Sequence, residues 1–118
     1  MKALNQIGLD SAKSAELIEK LNDLLANYHV FYMNVRGFHW NIKGEKFFEL
    51  HLKFEELYDN VILKIDEIAE RILTLGGTPL HPYSDFLKIS EIAEVKNHNG
   101  AVETVTSVLD SFRTLLVK

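Results

Sequence analysis

The chain has 118 residues, 47% of them hydrophobic and 25% charged, the balance of one ordinary globular domain. A formal net charge of -4 gives no cationic field for nucleic acid, and the lack of cysteine excludes a disulfide framework or a thiolate metal site. No run approaches the roughly 20 apolar residues that span a bilayer, and the opening "MKALNQIGLDSAKSAE" lacks a signal peptide's apolar stretch, so no membrane partner and a cytoplasmic location are expected.

The first predicted element is one long helix. Leu17, Leu21, Leu24, Tyr28, Phe31, Val35, Phe38 and Ile42 recur at steps of four and three, a single helical face held for about seven turns. Asp10 or Ser11 suits the N-cap and Gly44 the stop, which predicts a helix over about 11–42. At about 1.5 Å per residue it would be about 48 Å long, and such length points to a bundle. Gly37 costs about 1 kcal/mol inside a helix, but Phe38 and Ile42 keep the phase beyond it.

A second stripe follows, in Phe47, Leu50, Phe54, Leu57, Val61, Ile65, Ile68, Ile72 and Leu75. Gly76-Gly77 ends that helix and Pro79 prevents its continuation. "TPLHPYSDFLKIS" reads as a connector with one short helical turn near Asp85 to Ile89; Ser90 could cap a second short helix, and "NHNG" at 97–100 reads as a loop. From Ala101, the positions Val102, Val105, Val108, Leu109, Phe112, Leu115 and Leu116 predict a third amphipathic helix. Nothing in the pattern suggests a sheet, so the class is all-α.

The polar residues that interrupt these stripes carry the chemistry. His51 and Glu55 share a helical face, as do Asp66 and Glu70, and each pair could grip a cation from one side. Taken alone, His51-Glu55 reads first as an ordinary helical hydrogen-bonded pair, and paired carboxylates as a solvated face. Yet like charges at this spacing cost about 0.2–0.5 kcal/mol, which a cation between Asp66 and Glu70 would remove. Fifteen residues of helix put about 22 Å between His51 and Asp66, too far for one ion to touch both. At about 100° per residue, however, Glu55 and Asp66 differ in azimuth by only about 20°. Two copies of this helix set antiparallel about a twofold axis near residues 60 and 61 would bring His51 and Glu55 of one to Asp66 and Glu70 of the other, twice over. His39, near the end of the first helix, folds back beside His51 across the turn at 43–46 and could add a second imidazole; without those neighbours it reads first as a partly buried histidine packed by Trp40. His29, His81 and His98 have no comparable partners and read as surface or loop residues.

These residues stand in a segment, "FHWNIKGEKFFELHLKFEELYDNVILKIDEIAERILTLGGTP" at 38–79, that closely resembles the Dps family, the DNA-binding proteins from starved cells or mini-ferritins. The FHWN-x-K-G, L-H-x-x-F-E and D-x-I-A-E-R-I elements, followed by L-G-G-x-P, hold their mutual spacing over about a third of the chain. The resemblance implies a ferritin-like four-helix-bundle subunit assembling into a hollow homododecamer. It implies ferroxidase sites at the twofold interface, with His39, His51 and Glu55 from one subunit and Asp66 and Glu70 from its partner, and Trp40 beside them to take up oxidising equivalents. The family often has Asp at the position of Glu55. The implied activity is oxidation of Fe(II), by hydrogen peroxide in preference to dioxygen, at a site with room for two irons, with storage of Fe(III) mineral and protection against oxidative stress. Imidazole and carboxylate donors also accept Zn or Mn.

Two departures bear on that expectation. A typical Dps subunit runs a few tens of residues further, so this chain is expected to stop within the third long helix and to lack the fourth, leaving a sticky groove. The lysine-rich tail with which some Dps proteins bind DNA is also missing, since the first ten residues hold only Lys2, and the charge argues against a nucleoid role.

Overall fold

The computed structural model describes residues 11–117, Ser11 by its backbone alone, and the N-cap expected at Asp10 or Ser11 falls outside that description. Within those residues are four helices and no strand: α1 (Ser11–Asn41), α2 (Phe47–Thr74), α3 (Tyr83–Ile89) and α4 (Ala101–Val117). The all-α class and the three long helices match the periodicity, and α3 begins two residues earlier than the turn predicted at Asp85.

The hairpin of α1 and α2 is set by local chemistry at both ends. Gly44, at φ 101°, supplies the left-handed residue the reversal needs, and the amide of Phe47 donates to its carbonyl at 3.2 Å. At the far end α2 closes in a Schellman motif: the Gly77 amide donates to Ile72 and the Gly76 amide to Leu73, both at 3.0 Å, with Gly76 at φ 87°. Gly77 then lies so close to α1 that an added Cβ would stand 2.8 Å from the Ile18 side chain. His39 meets His51 at one end and Ile18 meets Gly77 at the other, so the helices run antiparallel in a molecule of 63 × 24 × 22 Å.

α1 is the hub against which α2, α3 and α4 all pack. Its buried surface is therefore wider than the single stripe read from the sequence. Phe31, Val35, Phe38 and Ile42 are buried as expected, but Leu25, Ala26 and Val30 are too, whereas Leu17 lies exposed. A helix with neighbours on several sides has no clean polar face, and one-face periodicity underestimates its core.

The crossover from α2 to α4 is held by asparagines of α1. Asn22 accepts the Leu80 amide at 2.9 Å and donates to the Thr78 carbonyl at 3.3 Å. Asn27, wholly buried, accepts from the amides of Glu91 (2.9 Å) and Ile92 (3.2 Å) and donates to Asp23. Asn34 donates to the Ala93 carbonyl at 3.0 Å and accepts from the Val95 amide at 2.9 Å. An extended segment anchored this way has its backbone satisfied by side chains. That corrects the expectation at Ser90, which starts no helix. It is the extended C-cap of α3, and its hydroxyl accepts from the Ile92 amide at 3.0 Å, while residues 91–100 carry no helix.

α4 starts from Gly100, with Glu103 reaching back to accept the amides of Asn99 and Gly100, both at 2.9 Å. This is the acidic half of a capping box, and these two bonds hold the Glu103 carboxyl below its usual range. The apolar stripe of α4 is not wholly inward. Val108, Thr104 and Ser111 face α1, whereas Val102, Leu109 and Leu116 are exposed, Leu116 to 87%. Beside it an apolar groove of about 260 Å³ runs between α2 and α4, lined by Leu57, Val61, Phe112 and Leu115 over Tyr28 and Phe31.

His29, expected at the surface, is half-buried on α1 with its ring stacked on Phe86 of α3 at 4.0 Å. Burial lowers its pKa from 6.5, so below that value the unfolded chain binds the proton more readily than the folded one. The contribution of His29 is thus complete above pH 6.5 and declines as pH falls through 6.5 towards the depressed folded value. Urea denaturation at paired pH values should show wild type losing more stability on acidification than His29→Phe; equal losses would exclude this origin.

Candidate metal centre

His39, Trp40, His51 and Glu55 gather where α1 and α2 meet. His39 is buried, His51 and Glu55 are half-buried, and Trp40 is exposed. The two imidazoles stack at 3.7 Å between centroids, and Phe47 covers the other face of His51 at 4.9 Å. Tyr58 stands edge-on to His39 at 5.4 Å and to Tyr32 at 5.8 Å.

The hydrogen bonds between the histidines are reciprocal. His39 Nδ1 donates to the backbone carbonyl of His51 at 2.6 Å, and His51 Nδ1 donates to that of His39 at 2.7 Å. A carbonyl only accepts, so each Nδ1 must carry a proton, and in the neutral ring each Nε2 is left with a lone pair. This is how a backbone acceptor commonly orients a metal-binding histidine. His39 Nε2 lies 3.5 Å from a Glu55 carboxylate oxygen, and one candidate donor atom from each of His39, His51 and Glu55 falls within 4.8 Å of the others. Three acceptors therefore converge with no donor among them. Either a proton on an imidazole or a cation relieves that arrangement, and nitrogen with carboxylate oxygen suits a divalent transition metal.

The surroundings sharpen this picture. The Tyr58 hydroxyl is held above its ordinary range, first by burial and then by the nearby Glu55 and Asp59 carboxylates, with Arg36 opposing. The Arg36 guanidinium lies over Trp40 at 4.6 Å and over Tyr32 at 5.3 Å, with its buried Nε free of any hydrogen bond. Spacing alone gave no sign of Tyr58 or Arg36, which come beside the histidines only through the packing of α1 on α2.

Asp66 and Glu70 lie exposed further along α2, and the cluster of His39, His51 and Glu55 is the one metal-competent group found among the described residues. Within a single subunit the structure brings together three of the five expected ligands. The outer side of α2 also shows Phe48, Leu52, Ile62, Leu63 and Leu73 to solvent, Phe48 to 81%. His81 is exposed in the crossover, and His98, a loop residue as expected, packs on Phe38 at 6.1 Å.

The Ferritin-like domain family matches residues 18–117. The chain is 43% identical to a DNA protection during starvation protein of Porphyromonas gingivalis, across 99% of this chain and 74% of that one. It is 41% identical to DNA protection during starvation protein 2 of Bacillus anthracis, over 87% of this chain and 70% of that protein. Among solved structures it superposes with TM-score 0.95, at 52% identity, on the crystal structure of a Dps protein from Vibrio cholerae O1, described as one of the ferritin-like diiron-carboxylate proteins. That match covers 98% of this chain and 73% of the other.

Proposed function

This chain belongs to the Dps family of the ferritin-like superfamily, and from that premise we propose that it is a ferroxidase and iron-storage protein whose substrate is Fe(II). The observation that carries the reading is the reciprocal histidine pair, which turns two imidazole lone pairs and the Glu55 carboxylate towards one another with no donor between them. His39, His51 and Glu55 bind iron from one subunit, and Asp66 and Glu70 of a second copy complete the coordination across a twofold axis.

The outer side of α2 supports that pairing. About a midpoint between residues 60 and 61, His51 and Glu70 are equidistant, as are Glu55 and Asp66, and so are the exposed Phe48 and Leu73. An antiparallel partner would therefore bury apolar ends against each other in the register that brings the two halves of the site together, the self-complementarity a twofold interface requires. Five ligands, three of them carboxylates, leave room for two irons near each other. Oxidation of two Fe(II) supplies both electrons that hydrogen peroxide needs, and dioxygen is the slower alternative oxidant. The protein contributes position and fixed tautomers. Trp40, exposed beside His39, takes up stray oxidising equivalents. Further pairing builds a hollow homododecamer that retains Fe(III).

The test is anaerobic loading with Fe(II), followed by hydrogen peroxide or dioxygen in parallel, with Fe(III) absorbance and size exclusion as readouts. Oxidation well above the buffer rate, faster with peroxide, and iron co-eluting with a large oligomer is the expected outcome. Oxidation at the buffer rate with unbound iron refutes the proposal.

A further inference from the structure

Apart from the candidate metal centre, the loop 97–100 carries a second piece of chemistry. Asn99 is followed by Gly100, the one Asn-Gly step in the sequence, and its side chain is exposed. We propose that Asn99 is a site of spontaneous deamidation and that Glu103 is the latch that holds it back. The reaction needs no cofactor. The Gly100 backbone nitrogen attacks Asn99 Cγ, forming a C–N bond that closes a five-membered succinimide. The Cγ–Nδ2 bond of Asn99 breaks, and ammonia departs with the proton that Gly100 N–H gives up. Water then opens the ring at either carbonyl, leaving aspartate or isoaspartate. Glycine permits the attack because no side chain screens its nitrogen.

The loop geometry opposes each requirement. Glu103 Oε1 accepts the Asn99 and Gly100 amides, both at 2.9 Å, so the nucleophile is engaged and its proton is held. The Asn99 carbonyl accepts the Lys43 amide at 2.8 Å, and the Gly100 carbonyl accepts the Thr104 hydroxyl at 2.7 Å. The reacting pair is therefore pinned from the α1–α2 turn on one side and from the first turn of α4 on the other. A carboxylate so close to Gly100 could instead act as a general base and speed the attack. Its two amide bonds make it a weak base, however, and its charge disfavours an amide anion alongside it, so restraint prevails. An isoaspartate would add one methylene to the backbone between the two anchors.

The experiment ages full-length wild type, Glu103→Ala, Glu103→Gln and Gly100→Ala in mildly alkaline buffer, with urea-denatured wild type as reference. Peptide mapping follows the gain of about one mass unit at residue 99, and isoaspartyl methyltransferase labelling follows the rearranged product. Folded wild type should react at least several-fold more slowly than the denatured protein. Glu103→Ala should recover most of that rate, Glu103→Gln, whose amide oxygen still accepts, should fall between, and Gly100→Ala should suppress the reaction. Folded and denatured wild type reacting alike would overturn the proposal. So would a Glu103→Ala rate equal to or below wild type, which would mark the carboxylate as a base.

Discussion

His51→Ala and Asp66→Ala should each abolish rapid ferrous oxidation as a single variant, and the two should restore one another when co-assembled. In the proposed antiparallel pairing of α2, each His51→Ala subunit still presents an intact Asp66 and Glu70, and each Asp66→Ala subunit an intact His39, His51 and Glu55. A mixed dimer then contains one complete site and one lacking both residues. Random pairing gives about half mixed dimers and so about a quarter of the wild-type number of sites. Removal of one iron-binding donor leaves too few ligands to hold iron in place, so each homodimer should fall to near the buffer rate. Peroxide-driven oxidation measured on co-refolded and separately folded variants decides the matter. Recovery only on co-refolding requires donors from two subunits. Activity in either single variant, or none in the mixture, removes the shared site. Asp66 is exposed and His51 half-buried, so neither change opens a large cavity, and circular dichroism checks that both variants fold.

Asn27→Ala should clearly destabilise the fold. The substitution strips the acceptor from the Glu91 and Ile92 amides and the donor from Asp23, at a position wholly shut off from water. A buried polar group left without its partner costs about 1–3 kcal/mol, and because the Ile92 amide keeps the Ser90 hydroxyl, the whole loss should be on the order of 1–3 kcal/mol. The crossover would loosen from α1 around residues 90–92, while Asn22 and Asn34 still anchor it on either side. Asn22→Ala, at a more exposed junction, should cost less, about 1 kcal/mol. Urea midpoints of the two variants provide the comparison. An Asn27→Ala protein as stable as wild type would mean that apolar packing, and not this side chain, positions the crossover.

That residue also marks where sequence reading stopped. The hairpin was legible because its signals are local: two apolar stripes, and glycines at positions where the backbone turns left-handed. The crossover was not, because Asn22, Asn27 and Asn34 look like ordinary polar positions until it is known what lies against them. Nor was the second buried side of α1, since Leu25, Ala26 and Val30 fall out of phase with the stripe that faces α2. At the candidate site, helical spacing put His51 beside Glu55, and the turn at 43–46 allowed His39 to join them while leaving open a core histidine packed by Trp40; the structure brings the three together. It could not reveal which ring nitrogen carries the proton, because the carbonyls that decide this belong to the opposite helix. Asp66 and Glu70 share one exposed face of α2, as their spacing put them, and under the proposed function a second copy completes their surroundings.

The paired imidazole-to-carbonyl bonds give the corner of the hairpin a double character. The same two contacts that fasten the end of α1 to the start of α2 also fix the form in which both rings can hold an ion. Opening the corner and losing the ligands are one event, so occupancy and local order are thermodynamically linked. Any ion taken up there must tighten the corner by mass action, by about 2.7 kcal/mol when its free concentration is about a hundred times its dissociation constant. The amides around Gly37 to Glu55 thereby become a built-in gauge of loading, slow to exchange with solvent when the site is full and quicker when it is empty.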